Sequence, residues 1–311
     1  MKKDSKIFVA GHRGLVGSAI VRMLKENGYT NIVTKTRQEL DLLNQSDVFD
    51  FFVNEKPEYV FDAAARVGGI YANDTFSGDF IYENIQIQTN LINSSYRSGV
   101  EKFLFLGSVC IYPKFAEVPV KEESLLTGYL EPTNDAYAIA KISGIKMLQA
   151  YRKQYGFKSV SLMPSNLYGI GDNFHPDNGH VIPAMMTKFS NSNGKSVTFW
   201  GDGTPMREFL YADDLADACL FAMDRFENAE LINVGSGENV SIESLARTIA
   251  GVVGYHGNIE WDTTRPNGTP KRPLDYSKMT ELGWNSKHSL HDGLKKTYQW
   301  FIENTYYDSC K

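Results

Sequence analysis

The chain has 311 residues, 42% of them hydrophobic and 22% charged, which is the balance of a folded globular protein with a large core. Its formal net charge of -5 excludes a basic surface that wraps nucleic acid, so phosphate must be recognised at local sites. The cysteines Cys110, Cys219 and Cys310 form no metal-binding pattern, and no apolar run approaches the roughly 20 residues that span a bilayer. We therefore expect a cytoplasmic protein with reduced thiols, no metal and no membrane contact.

The first predicted elements are a buried strand at 7–10, a glycine-rich turn at 11–17 and a helix that overlaps the turn and ends near Gly28. Glycines let the backbone approach a pyrophosphate closely, while the amides and dipole at the start of the helix receive its negative charge. Three glycines alone also occur in ordinary turns, so this pattern needs support from the residues that follow.

The second predicted strand, at 32–34, indicates which dinucleotide binds. NAD sites normally carry an acidic residue there, about 20 residues past the glycines, to hold the ribose 2'-hydroxyl. Here the residues from 34 to 37 are Thr-Lys-Thr-Arg, and Lys35, Arg37 and Arg13 favour a 2'-phosphate, which predicts NADP(H). The alternative is that these cations are solvated surface residues.

Apolar strand patterns at 59–65 and 102–106 alternate with helical stretches at 46–54 and 84–99. This alternation predicts an α/β fold, a Rossmann-like doubly wound parallel sheet. Ligands of such sheets bind at the carboxyl ends of the strands, which directs attention to residues 107–112.

A long helix is predicted from 135 to about 155, and it carries Tyr137 and Lys141 four residues apart on one face. A cation beside a phenol favours its ionised form, as proton transfer at neutral pH requires. Ser108, directly after a strand, can donate a hydrogen bond to the same carbonyl oxygen that Tyr137 protonates. A tyrosine and a lysine at this spacing are common by chance, so Ser108 is what makes the set specific.

The chain resembles the extended short-chain dehydrogenase/reductase family. Members of that family have, in the same order, a glycine turn, a serine after the fourth strand and a helix with the YxxxK motif. Within that family it is most similar to the GDP-L-fucose synthases, over residues 5 to 304. The stretches that carry this likeness are GHRGLVGSAI at 11–20, RVGGIYAN at 66–73, CIYPK at 110–114, EPTNDAYAIAK at 131–141, NLYG at 166–169, DNFHP at 172–176 and GTPMREF at 203–209. The resemblance implies a bifunctional 3,5-epimerase and 4-reductase that acts on a GDP-linked 4-keto sugar.

Site residues also follow from the resemblance. The implied NADP contacts are Gly11, His12, Arg13, Gly14, Leu15, Val16, Gly17, Arg37, Leu106, Gly107, Ser108, Val109, Lys141, Pro164, Asn166, Leu167 and His180. The implied contacts to the nucleotide sugar are Lys188, Trp200, Arg207, Asn267 and Arg272. Two positions depart from the family pattern, since Val109 replaces a second serine and Asn267 stands where an aspartate is usual.

Ser108, Tyr137 and Lys141 are the predicted reductase residues, and Cys110 and His180 the predicted epimerase residues. A 4-ketone acidifies the hydrogens on carbons 3 and 5, so epimerisation needs a base and an acid on opposite faces of the ring. Cys110 lies two residues after Ser108, and in an extended backbone both side chains point the same way, so Cys110 is the candidate base. His180 titrates near neutral pH and is the candidate acid. Alternatively, Cys110 is a small buried hydrophobe and His180 only binds the cofactor.

We expect an NADP-binding domain at 1–168 with a returning segment near 208–240, in which 231–234 is a strand of the first sheet. Residues 169–207 and 241–311 are the expected smaller C-terminal α/β substrate domain. Cationic side chains there fit a diphosphate, although surface salt bridges are the alternative. Extended family members commonly pair through helices such as 84–99 and 137–155, which implies a homodimer.

Two other functions remain open from the sequence. One is a 4-reductase of a related GDP-4-keto sugar, a 6-deoxyheptose or a 3,6-dideoxyhexose, without epimerase activity. The other is a cofactor-binding protein that has lost catalysis, against which the intact Ser108, Tyr137 and Lys141 argue.

Overall fold

The computed structural model describes residues 1–175, 179–264 and 273–308. The strands are β1 (Ile7–Ala10), β2 (Ile32–Val33), β3 (Tyr59–Asp62), β4 (Lys102–Leu106), β5 (Ser159–Pro164), β6 (Asn166–Tyr168), β7 (Val197–Trp200), β8 (Met206–Tyr211), β9 (Asn228–Val234), β10 (Asn239–Ser241) and β11 (Ile259–Asp262). The helices are α1 (Leu15–Glu26), α2 (Gln45–Glu55), α3 (Ile70–Thr75), α4 (Ser77–Ser98), α5 (Asp135–Tyr155), α6 (Val181–Asn191), α7 (Ala212–Arg225), α8 (Ile242–Val253), α9 (Ser277–Thr280) and α10 (Leu290–Asp308).

Six parallel strands form the main sheet in the order β2-β1-β3-β4-β5-β9, which confirms the predicted doubly wound fold. The chain moves outward from β1 to β2 and then returns to place β3 on the other side of β1. The carboxyl ends of β1 and β3 therefore flank the crevice where such sheets bind their ligands. Helices α1 and α7 pack together, as do α4 and α5, and the two faces carry separate apolar cores.

Most predicted elements exist with shifted ends. The second and third strands stop at Val33 and Asp62, earlier than predicted, and α1 ends at Glu26 rather than at Gly28. Helix α4 begins at Ser77, seven residues before the predicted start. Gly99 ends that helix in a left-handed conformation at φ 81°, which glycine adopts without strain.

The remaining strands form a three-stranded sheet in the order β10-β8-β6 and a parallel pair of β11 with β7. A third core, which includes Tyr168, Met186, Phe209 and Leu245, lies between these sheets and α6, α8 and α10. Strand β9 pairs in parallel with β5 of the main sheet, so the predicted return of 231–234 is confirmed. The domain boundaries themselves stay a prediction.

His288 joins the C-terminal segment to α7, an arrangement that the sequence did not reveal. Its Nδ1 lies 2.7 Å from Oδ1 of the buried Asp214, and its Nε2 lies 2.8 Å from Nζ of Lys296. Trp284 adds a hydrogen bond from its Nε1 to Asp217 at 3.0 Å. This network attaches α10 and the segment before it to α7, beside the main parallel sheet.

None of the helices in the described ranges has both the length and the apolar character needed to cross a membrane.

Candidate active site

The turn between β1 and α1 is shaped for close approach of a phosphate. Gly11 has φ 76°, and a Cβ there would lie 2.6 Å from the carbonyl oxygen of Ala63. A Cβ on Gly17 would lie 2.1 Å from the carbonyl oxygen of Gly11, so α1 can pack this closely on the turn only because position 17 has no side chain. Gly14 precedes α1, and within the described residues no side chain caps that helix and no acidic residue stands in its first turn. The amides of the first turn are thus available to an anion, which fits the pyrophosphate of a dinucleotide.

Basic side chains surround the end of β2, as predicted for a 2'-phosphate site. Arg13 and Arg37 are exposed, and Lys35 is half-buried. The nearby acid, Glu39, accepts a hydrogen bond from the Thr36 amide at 2.7 Å. This bond lowers the pKa of Glu39, and the charges of Lys35 and Arg13 lower it further, so each cation acts on this carboxylate.

The backbone after Ser108 is not extended, so the geometric reason given for the placement of Cys110 is wrong. Ser108 itself is extended, but Val109–Ile111 form one turn of 3-10 helix, and Ser108 Oγ accepts a hydrogen bond from the Cys110 amide at 3.4 Å. Cys110 nevertheless lies in the site, because its charge acts on both Tyr137 and Lys141. The tight turn brings it there in place of a continued strand.

Lys141 is buried and held in one position. Its Nζ donates a hydrogen bond to the carbonyl oxygen of Leu106 at 2.8 Å and lies 4.6 Å from the ring centroid of Phe105. The same nitrogen lies 6.0 Å from the ring centroid of Tyr137, so the predicted pair does share one face of α5. Leu106 and Gly107 at the end of β4 are buried beside it.

Burial shifts the pKa values of both members of the Tyr137–Lys141 pair. Burial raises the pKa of Tyr137, and the Cys110 charge raises it further. Burial also lowers the pKa of Lys141, although the charges of Asp62 and Cys110 oppose that shift. Desolvation is the largest effect on each group and disfavours both charged forms.

A buried hydrogen-bond network holds the loop that carries Cys110. The hydroxyl of Tyr112 donates to Asn233 Oδ1 at 2.6 Å, and Asn233 Nδ2 donates to the carbonyl oxygen of Val120 at 3.0 Å. The backbone amide of Asn233 donates to Glu122 Oε1 at 2.9 Å. These residues position the loop that carries Cys110, and no local sequence signal connects them.

Asp62 is another residue that sequence analysis did not select. A carboxylate at the end of an apolar strand was the signal in the sequence that could have identified it. It is 1% exposed, and its Oδ1 accepts a hydrogen bond from the Ala64 amide at 3.1 Å. Its Oδ2 is buried without a hydrogen-bond partner among the described residues. Burial raises the pKa of Asp62 to about 6, and the charge of Lys141 opposes that rise. Asp62 pairs in register with Phe105, the ring on which the Lys141 ammonium lies.

His180 immediately precedes α6, with its side chain 48% exposed and its Nδ1 3.5 Å from Asp172 Oδ1. The hydrogen bond that His180 donates to the Asp172 carboxylate raises the pKa of His180, against the opposing effect of burial. Pro164 ends β5, Leu167 is half-buried in β6, and Asn166 Nδ2 donates to the carbonyl oxygen of Glu208 at 2.9 Å. These residues follow the sheet at the expected carboxyl edge.

Lys188, Trp200 and Arg207 come from α6, β7 and β8 and line one cavity of about 350 Å³, together with Asn166. Burial lowers the pKa of the Arg207 guanidinium. The apolar walls, which sequence reasoning missed, are formed by Val181, Ala184, Met185, Phe199, Pro205, Phe209 and Ile242, with Gly203. Asn267 and Arg272 lie outside the described residues.

Comparison with known proteins identifies the family of this chain. The model of the NAD dependent epimerase/dehydratase family matches residues 7–235. GDP-L-fucose synthase 1 of Arabidopsis thaliana is 58% identical to this protein, over 97% of this chain and 94% of the length of the relative. GDP-L-fucose synthase of Escherichia coli strain K12 is 50% identical over 96% of this chain and 97% of its own.

Among solved structures, a GDP-mannoheptose C4 reductase from Campylobacter jejuni with NADP bound superimposes with a TM-score of 0.89 at 39% identity, covering 97% of this chain and 99% of its own. The match to the family model and these identities over nearly the whole length show one ancestry. The chain therefore belongs to the NAD dependent epimerase/dehydratase family, in its extended short-chain dehydrogenase/reductase branch, where it is similar to the GDP-L-fucose synthases.

Proposed function

We propose that this protein reduces carbon 4 of a GDP-4-keto-6-deoxy sugar with NADPH and also epimerises carbons 3 and 5, giving GDP-L-fucose or a close analogue. The observation that carries the proposal is the convergence of Ser108, Cys110, Tyr137 and Lys141 at the carboxyl end of β4. Identities of 58% and 50% to GDP-L-fucose synthases over nearly the full length support the same reaction.

The glycine turn and the basic cluster at the end of β2 are suited to NADP(H). Gly11, Gly14 and Gly17 leave backbone amides open to the pyrophosphate, and Arg13 and Arg37 can contact a 2'-phosphate. His12, Leu15 and Val16 complete that turn. Val109, Pro164 and Leu167 are proposed neighbours of the nicotinamide end. When bound, NADPH supplies the hydride that is added to carbon 4.

Tyr137 and Ser108 are proposed to hold the substrate carbonyl. The Tyr137 hydroxyl is kept protonated by burial and gives its proton to the ketone oxygen as that oxygen gains charge. Ser108 donates a second hydrogen bond to the same oxygen and stabilises the charge there. Lys141, fixed by its bond to the Leu106 carbonyl, supplies a positive charge next to the phenol and restricts its position.

Epimerisation uses the same polarised carbonyl. Cys110 is proposed to take the proton from the carbon next to the ketone, and His180 to return a proton on the opposite face. The Cys110 loop is tied down by the Tyr112–Asn233 hydrogen bond at 2.6 Å, so its thiol is kept in place over two successive inversions. Asp172 favours the protonated form of His180, the form an acid requires.

The 350 Å³ cavity is proposed to hold the GDP group. Its apolar walls and the exposed Trp200 ring suit a purine, while Lys188 and Arg207 are cations for the diphosphate. Asn267 and Arg272 are proposed as further contacts by resemblance alone.

The main alternative is a C4 reductase of a related GDP-4-keto sugar without epimerisation. The specific observation in its favour is the 39% identity and 0.89 TM-score to a GDP-mannoheptose C4 reductase. Higher identity to the GDP-L-fucose synthases favours the bifunctional reaction.

One incubation separates these two functions. The pure protein is mixed with GDP-4-keto-6-deoxy-D-mannose and NADPH in deuterated water, and the product is examined by mass spectrometry and proton NMR. GDP-L-fucose with solvent deuterium at carbons 3 and 5 is the expected product. Reduction without that deuterium would identify a simple 4-reductase, and no turnover would contradict the proposed substrate.

A homodimer and a cytoplasmic location are also proposed. Helices α4 and α5 pack side by side, and the rings of Tyr96 on α4 and Tyr155 on α5 are stacked 4.4 Å apart. Tyr155 is 45% exposed, so this surface has apolar area for a second copy. Sedimentation of the pure protein tests the dimer. Among the described residues, Cys110 and Cys219 form no disulfide, which fits a reducing compartment.

A further inference from the structure

A buried carboxylate stands behind His180. Asp172, only 8% exposed, lies in the loop between β6 and α6. Its Oδ1 lies 3.5 Å from His180 Nδ1 and also accepts a hydrogen bond from the Asn173 amide at 2.8 Å. Its Oδ2 is buried without a hydrogen-bond partner in the described part of the chain. The carboxylate is therefore fixed by the backbone while its charge is directed to the imidazole.

The loop that carries Asp172 packs against the first turns of α1. A Cβ built on Gly171 would lie 3.5 Å from Ser18 Oγ, and Gly171 has φ 82°, which favours glycine. Asp172 and His180 consequently lie beside the glycine turn proposed for the cofactor. With Nδ1 facing the carboxylate and the side chain 48% exposed, Nε2 is the nitrogen left to face a ligand.

We propose that Asp172 is a positioning residue that orients His180 and keeps it protonated for the proton-return step of epimerisation. The inference rests on the proposed function. In that step the Nε2–H bond of His180 breaks and a C–H bond forms on the substrate carbon, using the electron pair of the enolate double bond. The ketone re-forms, and the neutral imidazole, still held at Nδ1 by Asp172, regains a proton from solvent.

The first test is independent of catalysis. Proton NMR of the pure enzyme, with His180→Gln to assign the signal, gives the pKa of His180 in the wild type and in Asp172→Asn. Asp172 raises this pKa while burial lowers it, and no other charged group among the described residues contributes a resolved effect. We expect the wild-type pKa above the ordinary 6.5 and the variant pKa below it. A wild-type pKa at or below that ordinary value overturns the proposal, even where the variant does not fold.

The second test separates positioning from a general structural role. The enzyme is incubated with GDP-4-keto-6-deoxy-D-mannose and NADP+, which permits epimerisation without reduction, and the sugars are trapped with borohydride for analysis. Asp172→Asn should slow epimerisation at least about tenfold, since a positioned acid contributes ~100-fold or more. In a His180→Gln background, Asp172→Asn should cause no further loss of epimerisation rate.

An additive loss in the double variant, or normal epimerisation in Asp172→Asn, overturns the proposal. Failure of the proposed function has a different signature, because wild-type enzyme would then not epimerise this sugar at all while the titration still reports on the pair. Melting temperatures of the three variants show whether a loss of rate reflects unfolding.

Discussion

Replacing Tyr137 by phenylalanine removes a single hydroxyl from the centre of the proposed site. The ring keeps its edge-to-face contact with Phe80, whose centroid is 6.3 Å away. Within the described ranges the phenol oxygen makes no hydrogen bond to another residue, so its removal leaves no buried partner unsatisfied. We expect the free energy of unfolding to change by no more than about 0.5 kcal/mol.

The effect on turnover should be large. A positioned general acid contributes about 100- to 10,000-fold to a rate, which corresponds to ~3–5 kcal/mol of transition-state stabilisation. Since burial keeps the Tyr137 hydroxyl protonated, it is available as a donor at neutral pH. Tyr137→Phe should therefore lose ketone reduction by this factor, measured as NADPH oxidation with the GDP-4-keto sugar.

Tyr151→Phe is the matched control on the same helix. Its hydroxyl donates to Asn93 Oδ1 at 3.0 Å, and at ~1.5 Å per residue it lies roughly 21 Å along α5 from Tyr137. This variant should keep full turnover and lose about 1 kcal/mol of stability. Full reduction by Tyr137→Phe, or an equal loss in both variants, would refute the assignment of Tyr137 as the acid.

Three further changes test the rest of the site. Arg13→Ala and Arg37→Ala should each weaken NADPH binding about tenfold, which corresponds to the loss of one charged hydrogen bond. Calorimetry should show unchanged binding of NADH. Equal losses of affinity for both cofactors would contradict a 2'-phosphate contact. Arg207→Met should raise the dissociation constant for GDP by about 10- to 100-fold with NADPH affinity intact, and an unaltered GDP affinity would exclude Arg207 from the diphosphate. Asp62 has a pKa raised from 3.8 to about 6, so the folded state binds more protons than the unfolded state between these values and stability falls as pH rises through them. Asp62→Asn should remove this dependence of stability on pH, and urea unfolding at neutral pH should show the variant to be more stable than the wild type by up to about 3 kcal/mol. A wild-type stability that rises between pH 3.8 and about 6 would contradict the argument.

Local signals in the sequence were sufficient for the parts of the site that depend on a few consecutive residues. The glycine turn before α1 and the pairing of Tyr137 with Lys141 follow from spacing alone, because a turn and one helical face are short-range geometries. The alternation of apolar strands with helices also predicted the parallel sheet, since parallel neighbours need a crossover connection, which is usually a helix. The carboxyl edge, and with it Ser108, followed from that topology.

Tertiary structure decided how these residues behave. Periodicity did not show that the chain turns into a 3-10 helix after Ser108, or that burial raises the pKa of Tyr137, because desolvation depends on what packs around a side chain. Tyr112 bonds to Asn233, 121 residues away in sequence, and Lys188, Trp200 and Arg207 meet from three separate elements. Asp172 is close to His180 in sequence, but only the loop packed on α1 directs its carboxylate to the imidazole. Contacts of this kind arise when distant segments are buried together, and sequence spacing carries no record of them.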